Sequence, residues 1–432
     1  MFRKFFSHDT LSLARFLSQS PDFVWLDSAN GDGFSVMAFD SVSRKSFFKN
    51  STPSDFLNFL DQQKLDINIS ESDLPSFCGG WIGYFCYEAY SFNPLIPFKP
   101  NHYPNYPLAS FYEFDTFIFF NNNDLTKTFF SLSDKASEKF DAFITQLNRF
   151  SYSLHSAPSI NVNLEQFVSK DRYTRNFKSI LDLIHSGEFF ELNYTIDFAC
   201  PQHQNSFEIY CKLREKLHAP MMFYGNFSDI VILSASPERF FKIENSKIKT
   251  FPIKGTASRS DSITEDILLK SSLLQSEKNR AELLMITDLM RSDLGRICQG
   301  GSVKVNELVK LETFSHYHHL YSEIEGRLNS ATELSDVFKA LFPGGSITGA
   351  PKIKVMEHID KIENRARGVY TGAIGYISRS GTVDFNIPIR TITADGSKLH
   401  FAAGGGIVAD SQLEDEYNEC LLKISGLQHV LF

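Results

Sequence analysis

The 432 residues, 42% hydrophobic and 22% charged, are enough to bury a large core and too apolar to stay disordered. Forty-three basic against 51 acidic residues leave a formal charge of −8, and no cationic run offers a footprint for nucleic acid, so none is expected as a partner. No apolar run approaches the ~18 residues of a membrane span, and charges at Arg3, Lys4, Asp9 and Arg15 interrupt the N-terminus where a secretory leader would be apolar, so no membrane association and a cytoplasmic location are expected. Length alone suggests roughly three domains, a prior that interwoven α/β enzymes exceed.

In chain order, residues 1–150 read as a sheet-rich N-terminal sub-region interwoven with the rest of the chain. Short strands are expected at Val24 to Leu26, Gly80 to Tyr84 and Thr116 to Phe120, with a turn at Asn121-Asn122-Asn123-Asp124. Phe-rich runs such as Phe117 to Phe120 suit a core. A polar stretch, Ser151 to Asn163, separates this part from residues 165–432. There Tyr173, Phe177, Ile180, Leu181 and Ile184 recur at helical spacing until Ser186-Gly187. Strands follow at Ile230 to Ala235 and Lys247 to Ile253, then a helix from about Asp266 to Leu294, a helix from Pro351 to Ile362, and strands at Gly372 to Ser378, Thr382 to Thr393 and Leu399 to Gly404. Strands so often succeed strands that neither a regular βαβ barrel nor a doubly wound sheet is favoured. The six cysteines are scattered without a CxxC pair and read as reduced and mostly buried.

Several segments carry chemistry, each beside a plainer reading. Pro343-Gly344-Gly345-Ser346-Ile347-Thr348-Gly349-Ala350-Pro351-Lys352 is a Gly-rich loop entering a helix, which suits an anion or forms only a turn; without Lys-Ser/Thr it is no nucleotide loop. Gly404-Gly405-Gly406 leaves a strand and either approaches a ligand closely or bends the chain. Glu416 and Glu419 are three apart on a helix and can aim two carboxylates at one cation, or form an acidic surface stripe with Glu282 a separate surface charge. Lys254 closes an apolar strand, where it either snorkels to water or has its pKa lowered and becomes a nucleophile.

Together, Ser236-Pro237-Glu238-Arg239-Phe240, Pro252-Ile253-Lys254-Gly255-Thr256, the Glu282 helix ending Asp293-Leu294-Gly295-Arg296, His318-His319-Leu320, PGGSITGAPK and GGGIVADS closely resemble the chorismate-utilising enzymes. The match covers about residues 165 to 430, with a weaker one at Gly79-Gly80-Trp81-Ile82-Gly83-Tyr84. The resemblance implies an α/β (α+β) anthranilate-synthase-type fold, two packed, mostly antiparallel sheets with outer helices. Within the family PIKGT is similar to the aminodeoxychorismate synthase type, whereas the anthranilate synthase type has Ala at the position of Lys254. The resemblance therefore implies amination of chorismate to 4-amino-4-deoxychorismate, toward para-aminobenzoate and folate, with Lys254 as covalent nucleophile and Glu238 as general acid. It further implies Mg2+ held by Glu282, Glu416 and Glu419. Tyr376, Arg390 and Gly405 match positions on the enolpyruvyl side, Thr348 and Gly349 positions near the ring carboxylate, and His319 the active-site histidine, with Gly406 a further expected substrate-binding residue.

The chain departs from the family's pattern at Glu191, where amine-using members usually carry Gln and hydrolytic members a water-activating Lys. Glu191 can attract ammonium, accept its proton, or point elsewhere. No Gly-rich cysteine elbow of a glutamine amidotransferase is present, so ammonia is expected from a separate amidotransferase subunit or from solution. Ser28, in Leu26-Asp27-Ser28, resembles part of a tryptophan pocket whose usual Pro-Phe contact is replaced by Ala219-Pro220-Met221. Anthranilate synthase component I is the competing enzyme reading, and a catalytically silent chorismate-binding subunit the competing reading from another class.

Overall fold

The computed structural model describes residues 1–29, 33–63, 75–122, 126–152, 164–314 and 317–431. The linker residues 153–163 and the tip of the expected Asn-rich turn, residues 123–125, lie outside them. Strand pairing is antiparallel throughout two sheets. Among the described residues the first has twelve strands: Phe2–Ser7, Thr126–Ser131, Thr116–Phe120, Ser35–Ala38, Val24–Asp27, Met221–Phe227, Ile230–Ser236, Thr391–Ala394, Lys398–Ile407, Glu191–Pro201 and Gly349–Ala350 in spatial order, with Glu165–Gln166 pairing beside Glu191–Pro201. The second has ten, running from Ile253–Ser258 through Tyr317–Arg327, Lys247–Thr250, Arg239–Glu244, Val383–Asn386, Ala373–Ser378, Gly80–Phe85 and Ala109–Phe114 to Ser43–Phe47, with Lys304–Thr313 on Tyr317–Arg327. Each sheet draws strands from both ends of the chain.

The faces between the sheets are aromatic. Tyr84 and Tyr112 of the second sheet meet Phe227 of the first with ring centroids 5.1 and 5.0 Å apart. Phe117 and Phe120 are buried in the core. Helices cover the outside, and the spacing read from the sequence gives their inner faces. In Lys170–His185 the buried residues are Tyr173, Phe177, Ile180 and Ile184, and the Ser169 hydroxyl accepts from the Arg172 N–H to start the helix. All six cysteines are free and five are buried. No described helix is long and apolar enough to cross a membrane.

Three expected elements are each divided, and the breaks build the site. The helix expected from Asp266 to Leu294 is two helices, Ile263–Gln275 and Glu277–Gly295, because Ser276 takes an extended conformation and its side chain caps the second. The strand expected to end at Ile253 stops at Thr250 and resumes at Ile253–Ser258, since Pro252 has no N–H for a ladder. Lys254 is thus the second residue of a new strand rather than the end of the old one. The run Thr382 to Thr393 also splits, into Val383–Asn386 in the second sheet and Thr391–Ala394 in the first.

Candidate active site

Two crossings between the sheets run side by side. The chain passes from Ile230–Ser236 to Arg239–Glu244 through Pro237 and Glu238, and back from Val383–Asn386 to Thr391–Ala394 through Ile387 to Arg390. They hold each other: Ser236 Oγ donates to the Ile387 carbonyl at 2.5 Å, Ile387 N–H to the Glu238 carbonyl at 3.0 Å, and Ala235 N–H to the Arg390 carbonyl at 3.1 Å. Glu238 and Arg390 therefore come from backbone fixed in both sheets. The Glu238 side chain is buried and accepts a 2.6 Å hydrogen bond from Ser346 Oγ. Burial pushes its carboxyl up to about 7, against the lowering pull of Ser346, Lys254 and the Ile253 N–H. The sequence does not single out Ser346, because the glycines around it draw attention to backbone amides. Its loop is tied by Thr348 Oγ1 to the Gly344 carbonyl at 2.8 Å and by Arg367 to the Ile347 carbonyl at 2.9 Å. Lys352, at the loop's end, is paired with Asp293 at 2.5 Å.

Lys254 enters the same space from Ile253–Ser258 and is paired with Glu191, with Glu282 3.8 Å away. Glu191 does not point elsewhere: its side chain is 1% exposed, and Oε2 is buried without a hydrogen-bond partner. Gly406 leaves room for the pair, because a Cβ there would collide with Glu191 Oε1 and stand 3.1 Å from Lys254 Nζ. The expected depression of the lysine pKa is not what the free protein has. Burial does push it down, but Glu191, Glu282 and Glu238 outweigh burial and hold it above the ordinary lysine value.

The helix Glu277–Gly295 brings Glu282 and Lys278 to the helix Leu413–Leu431, which carries Glu416, Glu419 and Lys423. Lys278 reaches Glu416 at 2.5 Å and Glu282 at 4.0 Å, and Glu416 also accepts from Ser411 Oγ at 2.7 Å. Glu419 pairs with Lys423 at 2.7 Å, which donates in turn to the Gly404 carbonyl at 2.8 Å. A Cβ at Gly405 would lie 3.3 Å from Glu416 Oε2 and 3.9 Å from Glu419 Oε1, so both helix carboxylates face the glycine strand exit. Burial lifts Glu282 to about 7, Lys254 and Lys278 opposing it and Glu191 and Glu416 reinforcing it. Three carboxylates form a hard oxygen donor set of the kind magnesium takes. Here lysines hold them apart, and among the described residues no three acidic, His or Cys side chains close into a ready cage. Lys278 and Lys423, the cations now between them, carry no signal in the sequence that would single them out.

Arg390 has a left-handed backbone, φ 52°, and its guanidinium lies 4.6 Å from the Tyr317 ring centroid. Among the described residues no acidic side chain pairs with it, and burial lowers its pKa. His319 is buried beside it; burial and Arg390 push the imidazole down to about 3, so it is neutral. Its Nδ1 lies 2.8 Å from Thr256 Oγ1 and its Nε2 has no partner. Gly349, at φ 135°, packs on the Glu191 carbonyl where no Cβ fits. The Thr348 hydroxyl is spent inside its own loop, and that residue meets the site through backbone, its carbonyl accepting from the Asn193 N–H at 2.8 Å.

Tyr376 is not with these residues. It lies on Ala373–Ser378 opposite Asp384 and lines a separate cavity of about 300 Å³ with Ser28, Met221, Pro237, Arg239 and Ile253. Side chains alternate across a strand, so a tyrosine at that register faces away from the ring of carboxylates. Ser28 and Pro220 do share this cavity, as the sequence grouped them.

The family model described as "chorismate binding enzyme" matches residues 21–429. The chain is 34% identical to the aminodeoxychorismate synthase component 1 of Escherichia coli strain K12, covering 90% of this chain and 85% of that protein. It is 33% identical to the anthranilate synthase component 1 of Saccharolobus solfataricus, over 87% and 85% of the two chains. The crystal structure of anthranilate synthase component I from Streptococcus pneumoniae superposes with a TM-score of 0.80 at 30% identity, covering 91% of this chain and 92% of that one. The buried acid beside a lysine, the arginine against Tyr317 and the carboxylate-lined glycine exit thus lie on a fold shared with proteins of these names, and the chain belongs to the chorismate-binding enzyme family.

Proposed function

We propose that this protein aminates chorismate with ammonia to 4-amino-4-deoxychorismate. The observation that carries the reading is Lys254, buried between Glu191 and Glu282 in the space that Glu238 also faces. Lys254 Nζ bonds to ring carbon C2 as the C4 hydroxyl departs, and the ring double bonds shift between them. Glu238, whose raised pKa keeps a large share of it protonated near neutrality, gives its proton to that hydroxyl, which leaves as water. The Ser346 hydroxyl fixes one oxygen of Glu238 and leaves the other to deliver the proton. Ammonia then bonds to C4 and releases the lysine. Attack needs the uncharged amine, whereas the carboxylates around Lys254 favour its ammonium in the free protein, so substrate binding has to change that balance.

Arg390, without an acidic partner, suits the enolpyruvyl carboxylate, and neutral His319 offers Nε2 to the substrate. Glu282, Glu416 and Glu419 would hold Mg2+, exchanging their lysine partners for it. When bound, the ion would neutralise and orient the ring carboxylate. Ammonia would come from a separate glutamine amidotransferase subunit; the "component 1" in the relatives' names fits a protein that works with another. Anthranilate synthase is the second reading, favoured by relatives of that name, and Lys254 counts against it. Incubation with chorismate, magnesium and ammonium, followed by identification of the product by mass and ultraviolet spectrum, tests the proposal. Anthranilate and pyruvate as main products would overturn it.

A further inference from the structure

We infer that Glu191 is a catalytic residue of the amine exchange: its carboxylate spans the two nitrogens that trade places on the ring, one oxygen on Lys254 Nζ and the other on the incoming ammonia. This inference rests on the covalent reading above. A buried carboxylate oxygen without a hydrogen-bond donor is costly, and Glu191 Oε2 is such an atom. Its companion Oε1 is already on Lys254, the group that reacts. The nearby cations are committed elsewhere, Lys278 to Glu416 at 2.5 Å and Lys423 to Glu419 at 2.7 Å, so among the described residues no lysine is free for that oxygen. Nor can the residue swing away easily. Its strand is clamped to Gly349–Ala350 on one side and to Lys398–Ile407 on the other, Phe190 N–H donates to the Ala350 carbonyl at 2.8 Å, and Gly349 packs on the Glu191 carbonyl itself.

The geometry suits the exchange. The two oxygens of a carboxylate are separated by one carbon, and so are C2 and C4 of the ring. A carboxylate beside Nζ on C2 therefore has its second oxygen near whatever bonds to C4. In the exchange the ammonia lone pair forms the N–C4 bond, the ring double bonds shift back, and the C2–Nζ bond breaks with its electron pair returning to Lys254. Nζ, a secondary ammonium while attached, leaves as the neutral amine, and the new C4 nitrogen keeps its three protons and becomes the ammonium. Positive charge thus moves from one nitrogen to the other without a proton transfer, from in front of Oε1 to in front of Oε2. A fixed negative charge astride both positions stabilises that migration in a dry site. An amide at the same place would offer one acceptor and no charge.

Glu191→Gln and Glu191→Asp, made in the full chain, test this with magnesium present throughout, ammonium chloride and chorismate varied separately at one pH, and intact-protein mass measured after mixing with chorismate and magnesium but no ammonium. Glu191→Gln should form the lysine adduct but lose about 10²-fold in kcat/KM for ammonia, with kcat/KM for chorismate within about threefold of wild type. Glu191→Asp, which keeps the charge on a shorter arm, should recover part of the ammonia term. It also serves alone if the glutamine variant does not fold, since a wild-type ammonia term in Glu191→Asp with a disturbed chorismate term counts against the inference. An unchanged kcat/KM for ammonia in Glu191→Gln, or equal losses for both substrates, overturns it and leaves Glu191 a counter-ion of Lys254. A wild-type protein that never forms the adduct, with Lys254→Ala as active as wild type, marks failure of the covalent reading itself, and the inference falls with it.

Discussion

The backbone segments that carry Glu238 and Lys254 have two faces that behave as different materials. On one, Glu238, Lys254, Glu191 and Glu282 crowd together with too few cations, a carboxylate oxygen left bare and two carboxyls pushed up to about 7. On the other, Pro237, Arg239, Phe251 and Ile253 line a cavity of about 300 Å³ in which Arg239 meets Asp384 at 2.9 Å. Neighbours in sequence face opposite ways because strand side chains alternate. One face crowds carboxylates around a single lysine, which substrate can balance; on the other Arg239 and Asp384 meet each other, while the buried Tyr376 hydroxyl has no hydrogen-bond partner among the described residues. The difference teaches that the chemistry belongs to one side of the second sheet, and that residues one position apart should fail in different ways.

Lys254→Ala should break the comparison most sharply. Formation of the 4-amino product should fall by about 10³-fold or more, with any residual activity directed to C2, as measured by chromatography of the reaction mixture. A Lys254→Ala protein making the 4-amino product at the wild-type rate would make the charged face a bystander. Next in size, Glu282→Gln and Glu419→Gln should each lower magnesium-dependent turnover by about 10²-fold while leaving the thermal transition nearly in place. Chelation should abolish wild-type turnover, and turnover that survives thorough chelation would remove the metal from the account.

The pH dependence sharpens the same contrast. The need for an uncharged Lys254 lowers turnover on the acid side, and because Glu238 acts while protonated and its carboxyl is pushed up to about 7, its contribution, with ammonia saturating at every pH, should be lost along an alkaline limb above that value. Glu238→Gln should be slow and lack that limb. Smallest in its effect on chemistry is the opposite face. Asp384→Asn leaves Arg239 short of its partner and should cost about 2 kcal/mol in a denaturation experiment, with KM for chorismate unchanged. A large change in KM with no loss of stability would mean the cavity communicates with the catalytic face more strongly than the balanced pair suggests.

Much of this was legible in the chain. Periodicity marks the buried face of Lys170–His185 residue by residue, and the motifs carry a resemblance to the chorismate-utilising enzymes that picks out Glu238, Lys254, Glu282 and Arg390. Local pattern also ran past its reach. Hydrophobic alternation runs from Val383 to Ile389, and although Pro388 marks a break there, nothing local shows that the chain leaves one sheet for the other at Ile387 to Arg390. Tyr376 reads as a binding residue in sequence, but the register of its strand turns it into the rear cavity.

By itself the sequence determined which residue types were available and which local faces are apolar, since propensity, capping and alternation act over a few residues. The tertiary structure decided everything that depends on charges meeting across long separations. Glu191 and Lys254 are 63 positions apart, and Lys278 and Glu416 138 apart. The electrostatic balance of Lys254 followed from that convergence: burial alone would have depressed its pKa as the apolar strand suggested, but three carboxylates arriving from other elements reverse the sign.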